Sequence, residues 1–467
     1  MLTYSFENIG SDLLYDYLYK CIKKDIISGK IRAGDKLPSK RSFAKNLGIS
    51  VITVESAYAQ LIAEGYVYSI PKSGYYISDL KNVNLNETKR ILMEHAPLTG
   101  GNNSYIADFS SNQTDIEIFP FTTWAKTVRE ILNDSRIQLM TNPPSAGIDE
   151  LREEIAAYLK AFRGMSVSAG QIVIGAGTEY LYSLLIQLLG HNSVYGVENP
   201  GYMKIARIYD SMNVKCRYIP LDENGMSVSE LERSDVDVVH ISPSHHFPTG
   251  KIMPISRRYE IIGWAAKQKN RYIIEDDYDS ELRLSGKPIP TMQSIDVADK
   301  VIYINTFTKT LASTVRISYM VLPNSLANLF YEKLSFYSCT VSNFEQYTLA
   351  RFMENGNFEK HVNKLRNYYQ HKRDNILEAL KNSRLGKCIS IYGEDSGIHF
   401  LMTLKTRKEE DDIVKLASSA GIKLMPISYY YKDRLNSSYD KNTYVMNYSS
   451  VDISNMDKVV KALYGLI

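Results

Sequence analysis

The spacing of apolar positions changes along the chain, and each change marks a different kind of element. Leu14, Leu18, Cys21, Ile22 and Ile26 recur on one helix face, and Gly29 closes that helix. Ser39 is placed to cap a second, short helix that runs through Leu47 and stops at Gly48. Ser50 is placed to cap a third, in which Val54, Tyr58 and Leu61 face inward before Gly65 ends it. Tyr66-Val67-Tyr68, a turn at Pro71-Lys72-Ser73-Gly74, and Tyr75-Tyr76-Ile77 then read as a hairpin. Three helices, with a tight turn between the second and third and a hairpin behind them, predict a winged helix-turn-helix over residues 1–78.

From 79 to 104 the pattern dissolves into Asn82, Asn84, Asn86, Gly100, Gly101, Asn102 and Asn103, a polar linker with a short helix expected around Lys89 to Glu94. Beyond Tyr105 strands and helices alternate. Gln171-Ile172-Val173-Ile174 precedes a helix from Glu179 to Leu189, and Val236 to Ile241, Arg271 to Glu275 and Lys300 to Ile304 are further strands. Near-continuous apolar strands separated by helices predict an α/β domain with a mostly parallel sheet over 105–467. Tyr331 to Lys381 reads as long helices, followed by an α+β piece. The expected division is a large domain over about 140–340 and a C-terminal small domain over about 341–467.

At 467 residues the chain has room for these cores. The composition is that of an ordinary globular protein, 44% hydrophobic and 23% charged, and the net charge of +3 says little about partners. Its distribution says more. Lys20, Lys23, Lys24, Lys30, Arg32, Lys36, Lys40, Arg41 and Lys45 face only Asp25 and Asp35 in that stretch. Such a run is commonly a solvated face, so its placement has to decide its meaning. Cys21, Cys216, Cys339 and Cys388 show neither CxxC nor metal spacing, which predicts free thiols and no metal site. No apolar stretch approaches the roughly 20 residues of a membrane span. The N-terminus, with its early Glu7, lacks a basic-then-apolar signal, so a cytoplasmic protein is expected.

A helix-turn-helix offers the start of its second helix to base edges, while flanking groups touch phosphates. That reading puts Ser50, Val51, Ile52, Thr53 and Ser56 at the groove of double-stranded DNA. Ser39, Lys40 and Arg41 lie at the helix before it, and Lys72 and Ser73 at the wing tip. Val51 suits a thymine methyl and Thr53 can donate to either strand. Leu37-Pro38-Ser39-Lys40-Arg41-Ser42-Phe43-Ala44, Thr53 to Leu61, and Gly65-Tyr66-Val67 leading to Lys72-Ser73-Gly74-Tyr75-Tyr76 resemble the GntR family of winged-helix repressors over about residues 12–78. The chain departs from that family at Val51, where relatives often carry a polar or basic residue.

In the second domain the segment Asn305-Thr306-Phe307-Thr308-Lys309, running on to Arg316, concentrates the chemistry. A lone lysine is ordinarily a solvated charge. Lys309, however, lies just beyond an apolar strand, at the sheet end where ligands collect. Pyridoxal phosphate (PLP) requires a lysine for its aldehyde, an acid against its pyridine nitrogen and a cradle for its phosphate. Lys309 meets the first demand. Asp276, after the strand Tyr272-Ile273-Ile274, meets the second, while Asp277 and Asp279 are the better helix-cap candidates. Tyr278 could reach the ring's phenolic oxygen. Gly177-Thr178 opens a helix whose N–H groups can receive the phosphate, and Thr306, Thr308 and Arg316 complete the cradle.

These motifs resemble fold-type I aminotransferases across about residues 105–467. Joined to a GntR-like head they resemble the MocR/GabR-type bacterial transcriptional regulators. Glu198-Asn199-Pro200-Gly201-Tyr202, Pro243-Ser244-His245-His246-Phe247-Pro248-Thr249-Gly250, Glu275 to Glu281 and Ser318 to Pro323 match as well. The resemblance implies Lys309 as the internal aldimine, Asp276 on the pyridine nitrogen, Tyr278 near the phenolic oxygen and Tyr202 stacked on the ring. It also implies Thr178, Thr306 and Arg316 on the phosphate, His245 or His246 near the ring, and a homodimer. The strand Tyr444-Val445-Met446-Asn447-Tyr448 departs from the pattern, because Val445 stands where aminotransferases carry the arginine for the substrate carboxylate. A desolvated carboxylate loses roughly 2–5 kcal/mol without such a partner. Either Lys204 or Arg434 substitutes, or the effector is no ordinary amino acid. The resulting expectation is a PLP-dependent DNA-binding regulator without net turnover that senses an amine, an amino acid or PLP itself. The alternative is an active aminotransferase with an accessory DNA-binding head.

Overall fold

Two serines decide where the second and third helices begin. Ser39 Oγ accepts the Ser42 N–H at 3.2 Å and Ser50 Oγ accepts the Thr53 N–H at 3.0 Å. The computed structural model describes residues 2–6, 13–79, 105–111, 114–284, 289–395, 397–434 and 439–467. They fall into two compact units, Met1–Asn102 and Asn103–Ile467.

In the first unit the helices are Leu14–Ile27, Lys40–Leu47 and Val51–Ala63. Gly48 adopts the left-handed conformation (φ 68°), which ends the second helix abruptly and makes the following turn tight. Leu18, Ile22, Phe43, Val54, Tyr58, Leu61, Val67 and Ile77 share one core. Cys21 is only partly buried, at the edge of the face it was expected to share. The hairpin pairs Val67–Ile70 with Gly74–Ile77, and a third strand, Lys36–Leu37, joins antiparallel with Lys36 opposite Tyr76. Two residues cannot display a period, so this strand was illegible in the sequence. Glu64 accepts from Tyr19 Oη at 2.6 Å and Lys23 Nζ at 2.7 Å, tying the end of the third helix to the first. Of the predicted linker, positions 80–104 and the short helix around Lys89 to Glu94 lie outside the described residues.

The second unit is built on an eight-stranded sheet. Its order is Ile172–Ala176, Ile317–Val321, Val301–Thr306, Tyr272–Asp276, Val238–Ile241, Tyr195–Asn199, Cys216–Asp222 and Gly225–Met226. The five strands from Val301–Thr306 to Cys216–Asp222 run parallel. Alternate side chains serve opposite layers. Val173, Ile302, Ile304 and Met320 pack beneath the helices Thr178–Leu189 and Asn324–Leu334. Ile172, Ile174, Tyr303 and Tyr319 pack against Asp149–Arg163 and Asn343–Glu354.

The expected domain division at about 341 moves. Asn343–Glu354 belongs to the large-sheet core, and the helix Asn357–Lys381 contributes Phe358 and Val362 to that core but Leu365, Ile376 and Leu380 to the C-terminal one. A single long helix spans both cores, and helical period alone carries no mark of where one core gives way to the other. The strand Ala107–Asp108 pairs with Ile422–Lys423, so the start of this unit also joins the C-terminal core. That core includes the three-stranded sheet Ile389–Tyr392, His399–Leu404 and Thr443–Asn447. Among the described residues no helix is long and apolar enough to cross a membrane.

Candidate functional site

Because the central strands are parallel, Thr306, Asp276, Ile241 and Asn199 end at one edge of the sheet. Ile317–Val321 runs the other way between Val301–Thr306 and Ile172–Ala176, with Ile317 opposite Ala176. The chain therefore enters that strand at Arg316 beside the point where it leaves Ala176 for Gly177. Topology alone brings Gly177, Arg316, Lys309 and Asp276 to one end of the sheet.

There they line a cleft of about 210 Å³, together with Thr178, Tyr202, Lys204, Tyr278, Thr306 and Thr308. Asp276 Oδ2 accepts the Tyr182 hydroxyl at 2.8 Å and lies 3.3 Å from His240 Nε2, while His240 Nδ1 and Tyr209 Oη are 2.8 Å apart. Oδ1 is buried with no hydrogen-bond partner among the described residues. A buried carboxylate oxygen left unpaired is costly, and a protonated ring nitrogen is a donor that would satisfy it. Burial lowers the Lys309 amine to about 8 against the opposing pull of Asp279. Ser318 Oγ donates to Thr306 Oγ1, which donates to Thr308 Oγ1, each at 2.8 Å.

Gly177 (φ 92°) precedes the helix Thr178–Leu189, and a Cβ built there would lie 2.4 Å from Arg316 Nη2. The donors of this pocket fit a phosphate: backbone N–H groups at a helix start, a hydroxyl and a guanidinium. The substitution Gly177→Ala is expected to push Arg316 away and strain the backbone. Phosphate affinity should fall about tenfold or more, as read by titration with inorganic phosphate. Unchanged affinity would remove Gly177 from the cradle.

Several expected residues lie elsewhere. His245 and His246 do not line the cleft. His245 Nδ1 is 2.7 Å from Asp279 Oδ2, and His246 Nδ1 is 2.7 Å from Thr249 Oγ1. The imidazole at the cleft is His240, missed because it sits within an apolar strand. The available signal was a lone polar residue in a fully buried run, and its register places it opposite Ile274, one strand from the Asp276 terminus. Tyr182, Glu179 and Phe247 were missed likewise, as was Glu198, whose carboxyl burial pushes up to about 8.

Neither Asp277 nor Asp279 caps a helix with its side chain, although Asp279 stands at the N-cap position of the 3-10 turn Ser280–Leu282. Asp277 Oδ2 meets Arg163 Nη2 at 2.7 Å and the Tyr303 hydroxyl at 2.8 Å, while Asp279 is committed to His245. Arg434 pairs with Glu410 at 3.0 Å and Asp411 at 2.5 Å and does not line the cleft, so two carboxylates have already claimed it. Lys204 does line the cleft. Val445 is buried with Leu401 and Ile427 beside Phe247, in an apolar cluster. Tyr202 meets Phe247 edge-to-face, ring centres 5.7 Å apart, and remains half exposed.

In the first unit Val51, Ile52, Arg41 and Lys72 are exposed. The hydroxyls of Ser50 and Thr53 lie 2.8 Å apart, Lys40 pairs with Glu55 at 2.6 Å, and Ser73 Oγ lies 2.6 Å from Tyr76 Oη. Ser39 is occupied as a cap and Ser56 is half buried. Lys72 holds a left-handed φ of 63° at the hairpin tip.

The fold and cleft define a class: a winged-helix unit joined to an aminotransferase-type body. Residues 14–77 match the family of bacterial regulatory proteins called gntR, and residues 105–463 match aminotransferase class I and II. The chain belongs to the aminotransferase class I and II family and, with its gntR-type head, to the MocR-type regulators. It is 38% identical over 423 residues to the uncharacterized HTH-type transcriptional regulator YdeL of Bacillus subtilis (strain 168), with 90% of each chain covered. To the probable rhizopine catabolism regulatory protein MocR of Rhizobium meliloti it is 28% identical over 464 residues, covering 96% of this chain and 93% of that one. The crystal structure of Pyrococcus horikoshii kynurenine aminotransferase superposes with a TM-score of 0.66 at 25% identity, covering 78% of this chain and 91% of that chain.

Proposed function

We propose that this protein is a DNA-binding transcriptional regulator whose aminotransferase-like body binds PLP and uses it to sense a small molecule. The observation that carries the reading is the convergence of Lys309, Asp276 and the Gly177–Arg316 cradle on one cleft. PLP supplies an aldehyde that an amine can capture and a ring that accepts electron density. Lys309, with its amine lowered to about 8, is the group suited to hold that aldehyde. Asp276, itself fixed by Tyr182, would hold a proton on the ring nitrogen through its unpaired Oδ1. Thr178, Thr306, Thr308 and Arg316 would hold the phosphate, with Tyr202 available to the ring and Tyr278 to its phenolic oxygen.

The effector is an amine, an amino acid or PLP itself. Buried Val445 favours a ligand that does not depend on an arginine grip at that strand, and Lys204, the candidate cation that lines the cleft, is itself paired with Glu179 at 2.5 Å. Ligand binding shifts the regulator only to the extent that two states of the body bind it unequally. We assign the working form to a homodimer that reads paired half-sites on double-stranded DNA. Exposed Ile137, Met140 and Phe344 supply an apolar surface for that pairing.

Titration with PLP, and operator binding measured with and without it, test the proposal; a protein that binds no PLP refutes the sensor. Binding to double-stranded DNA should weaken steeply as salt rises, and Arg41→Ala should lower the log–log salt slope by about 1. A flat salt dependence in gel-shift titrations would count against DNA binding. The intact lysine–acid pair also favours a second reading, an active aminotransferase. Steady multiple turnover with common amino donors would select that reading.

A further inference from the structure

Glu179 follows Thr178 at the start of the helix Thr178–Leu189, and its carboxylate turns back toward the cradle. Oε2 accepts from Arg316 Nη2 at 2.6 Å and Oε1 from Lys204 Nζ at 2.5 Å. The residue's own backbone N–H also donates to the carboxylate. The same Cβ built on Gly177 that would meet Arg316 Nη2 lies 2.9 Å from Glu179 Oε2. The carboxylate thus lies among the donors assigned to the phosphate: the helix start, the bare backbone at Gly177 and the guanidinium. Burial opposes its charge, yet Lys204 and Arg316 hold it ionised, down at about 2.

We infer that Glu179 is an internal anion that competes with the ligand's phosphate for Arg316 and the helix start, so that loading the cleft is an exchange rather than a simple addition. The inference rests on the reading of this pocket as a phosphate cradle. A phosphate carrying nearly two negative charges cannot share these donors with a carboxylate at hydrogen-bond distance without like-charge repulsion. On arrival it takes Arg316 and the backbone N–H groups, and Glu179 retains Lys204 alone. The free energy of breaking one charge-assisted pair is subtracted from phosphate binding. Glu179 thereby sets the concentration at which the cleft fills, without being one of the groups that hold the ligand.

The test uses the full chain stripped of bound cofactor, titrated separately with PLP and with inorganic phosphate. Dissociation constants come from intrinsic fluorescence, and thermal midpoints are followed in parallel. With Glu179→Gln both ligands should bind about three- to tenfold tighter, because a competing charge is gone. The ligand-free variant should melt earlier, since Arg316 and Lys204 lose their common partner, and phosphate should restore more of its midpoint than it adds to the wild type. Glu179→Ala, which suits a helix position, should bind in the same direction and covers a failure of the first variant to fold. Weaker or unchanged phosphate binding in the folded variants overturns the inference, because Glu179 would then be positioning Arg316 for the ligand. If phosphate binds tighter in the variants while no form binds PLP, the exchange stands and the cofactor reading falls.

Discussion

A Lys309→Ala variant is expected to retain no covalently attached PLP after borohydride reduction, whereas the wild-type chain should carry the cofactor's mass on the Lys309 peptide. The variant keeps Asp276 and the cradle, so it should still bind PLP reversibly and lose it on dialysis. The size of the effect follows from the amine. Capture of an aldehyde requires the neutral form, and with a value near 8 about a tenth of Lys309 is neutral at pH 7. An ordinary lysine near 10.4 would be neutral to only about 0.04%, a difference of more than a hundredfold. The sign with pH is fixed by the same numbers. Attachment should accelerate as pH rises from 6 towards 8 and level off about one unit above. Asp279→Asn removes the charge that opposes the lowering, so the profile should shift to lower pH. Mass spectrometry that finds the cofactor on a different lysine, or unchanged attachment in Lys309→Ala, would overturn the assignment.

Arg163→Leu is expected to destabilise the body by roughly 3–5 kcal/mol, the cost of leaving a buried charge without its partner. Arg163 Nη2 reaches Asp277 Oδ2 at 2.7 Å with both side chains almost fully buried, and donates to Ser244 Oγ at 3.2 Å. Without it Asp277 keeps, among the described residues, the Tyr303 hydroxyl as its side-chain hydrogen bond and the field of buried Arg258, and it stands near Glu275 and Glu281, whose carboxyls burial already pushes up to about 7. Three buried acids, Glu275, Asp277 and Glu281, would then repel one another with one cation fewer among them. The urea midpoint of each variant measures the loss. Arg163→Leu with Asp277→Leu should recover much of it, because two apolar side chains leave no charge stranded. A single variant as stable as the wild type would show that water or protonation relieves Asp277 at little cost.

The two parts of the chain differed in how much of them could be read from the sequence. In the first unit each signal is local: Ser39 and Ser50 cap the helices they precede, and Gly48 stops one by its own backbone. The residues of the cleft were legible because their types are rare in combination. A lysine beyond a buried strand, an acid at the end of another and a glycine before a helix leave few alternatives. What those residues touch was not legible. Glu179 could not be tied to Arg316 and Lys204, nor Tyr182 and His240 to Asp276, since each contact joins elements far apart in sequence. Asp277 and Asp279 read as caps because a cap needs only its own helix, whereas their partners Arg163 and His245 come from distant segments.

By itself the sequence determined the main elements and their order, the winged helix and the aminotransferase-type body, because period, capping and residue type act over a few neighbouring positions. Tertiary structure alone decided which strand lies beside which, and hence that His240 reaches Asp276, that Arg434 is consumed by Glu410 and Asp411, and that one helix belongs to two cores. These outcomes depend on register and strand order, which are set by burying whole faces at once. No local stretch of residues carries that information.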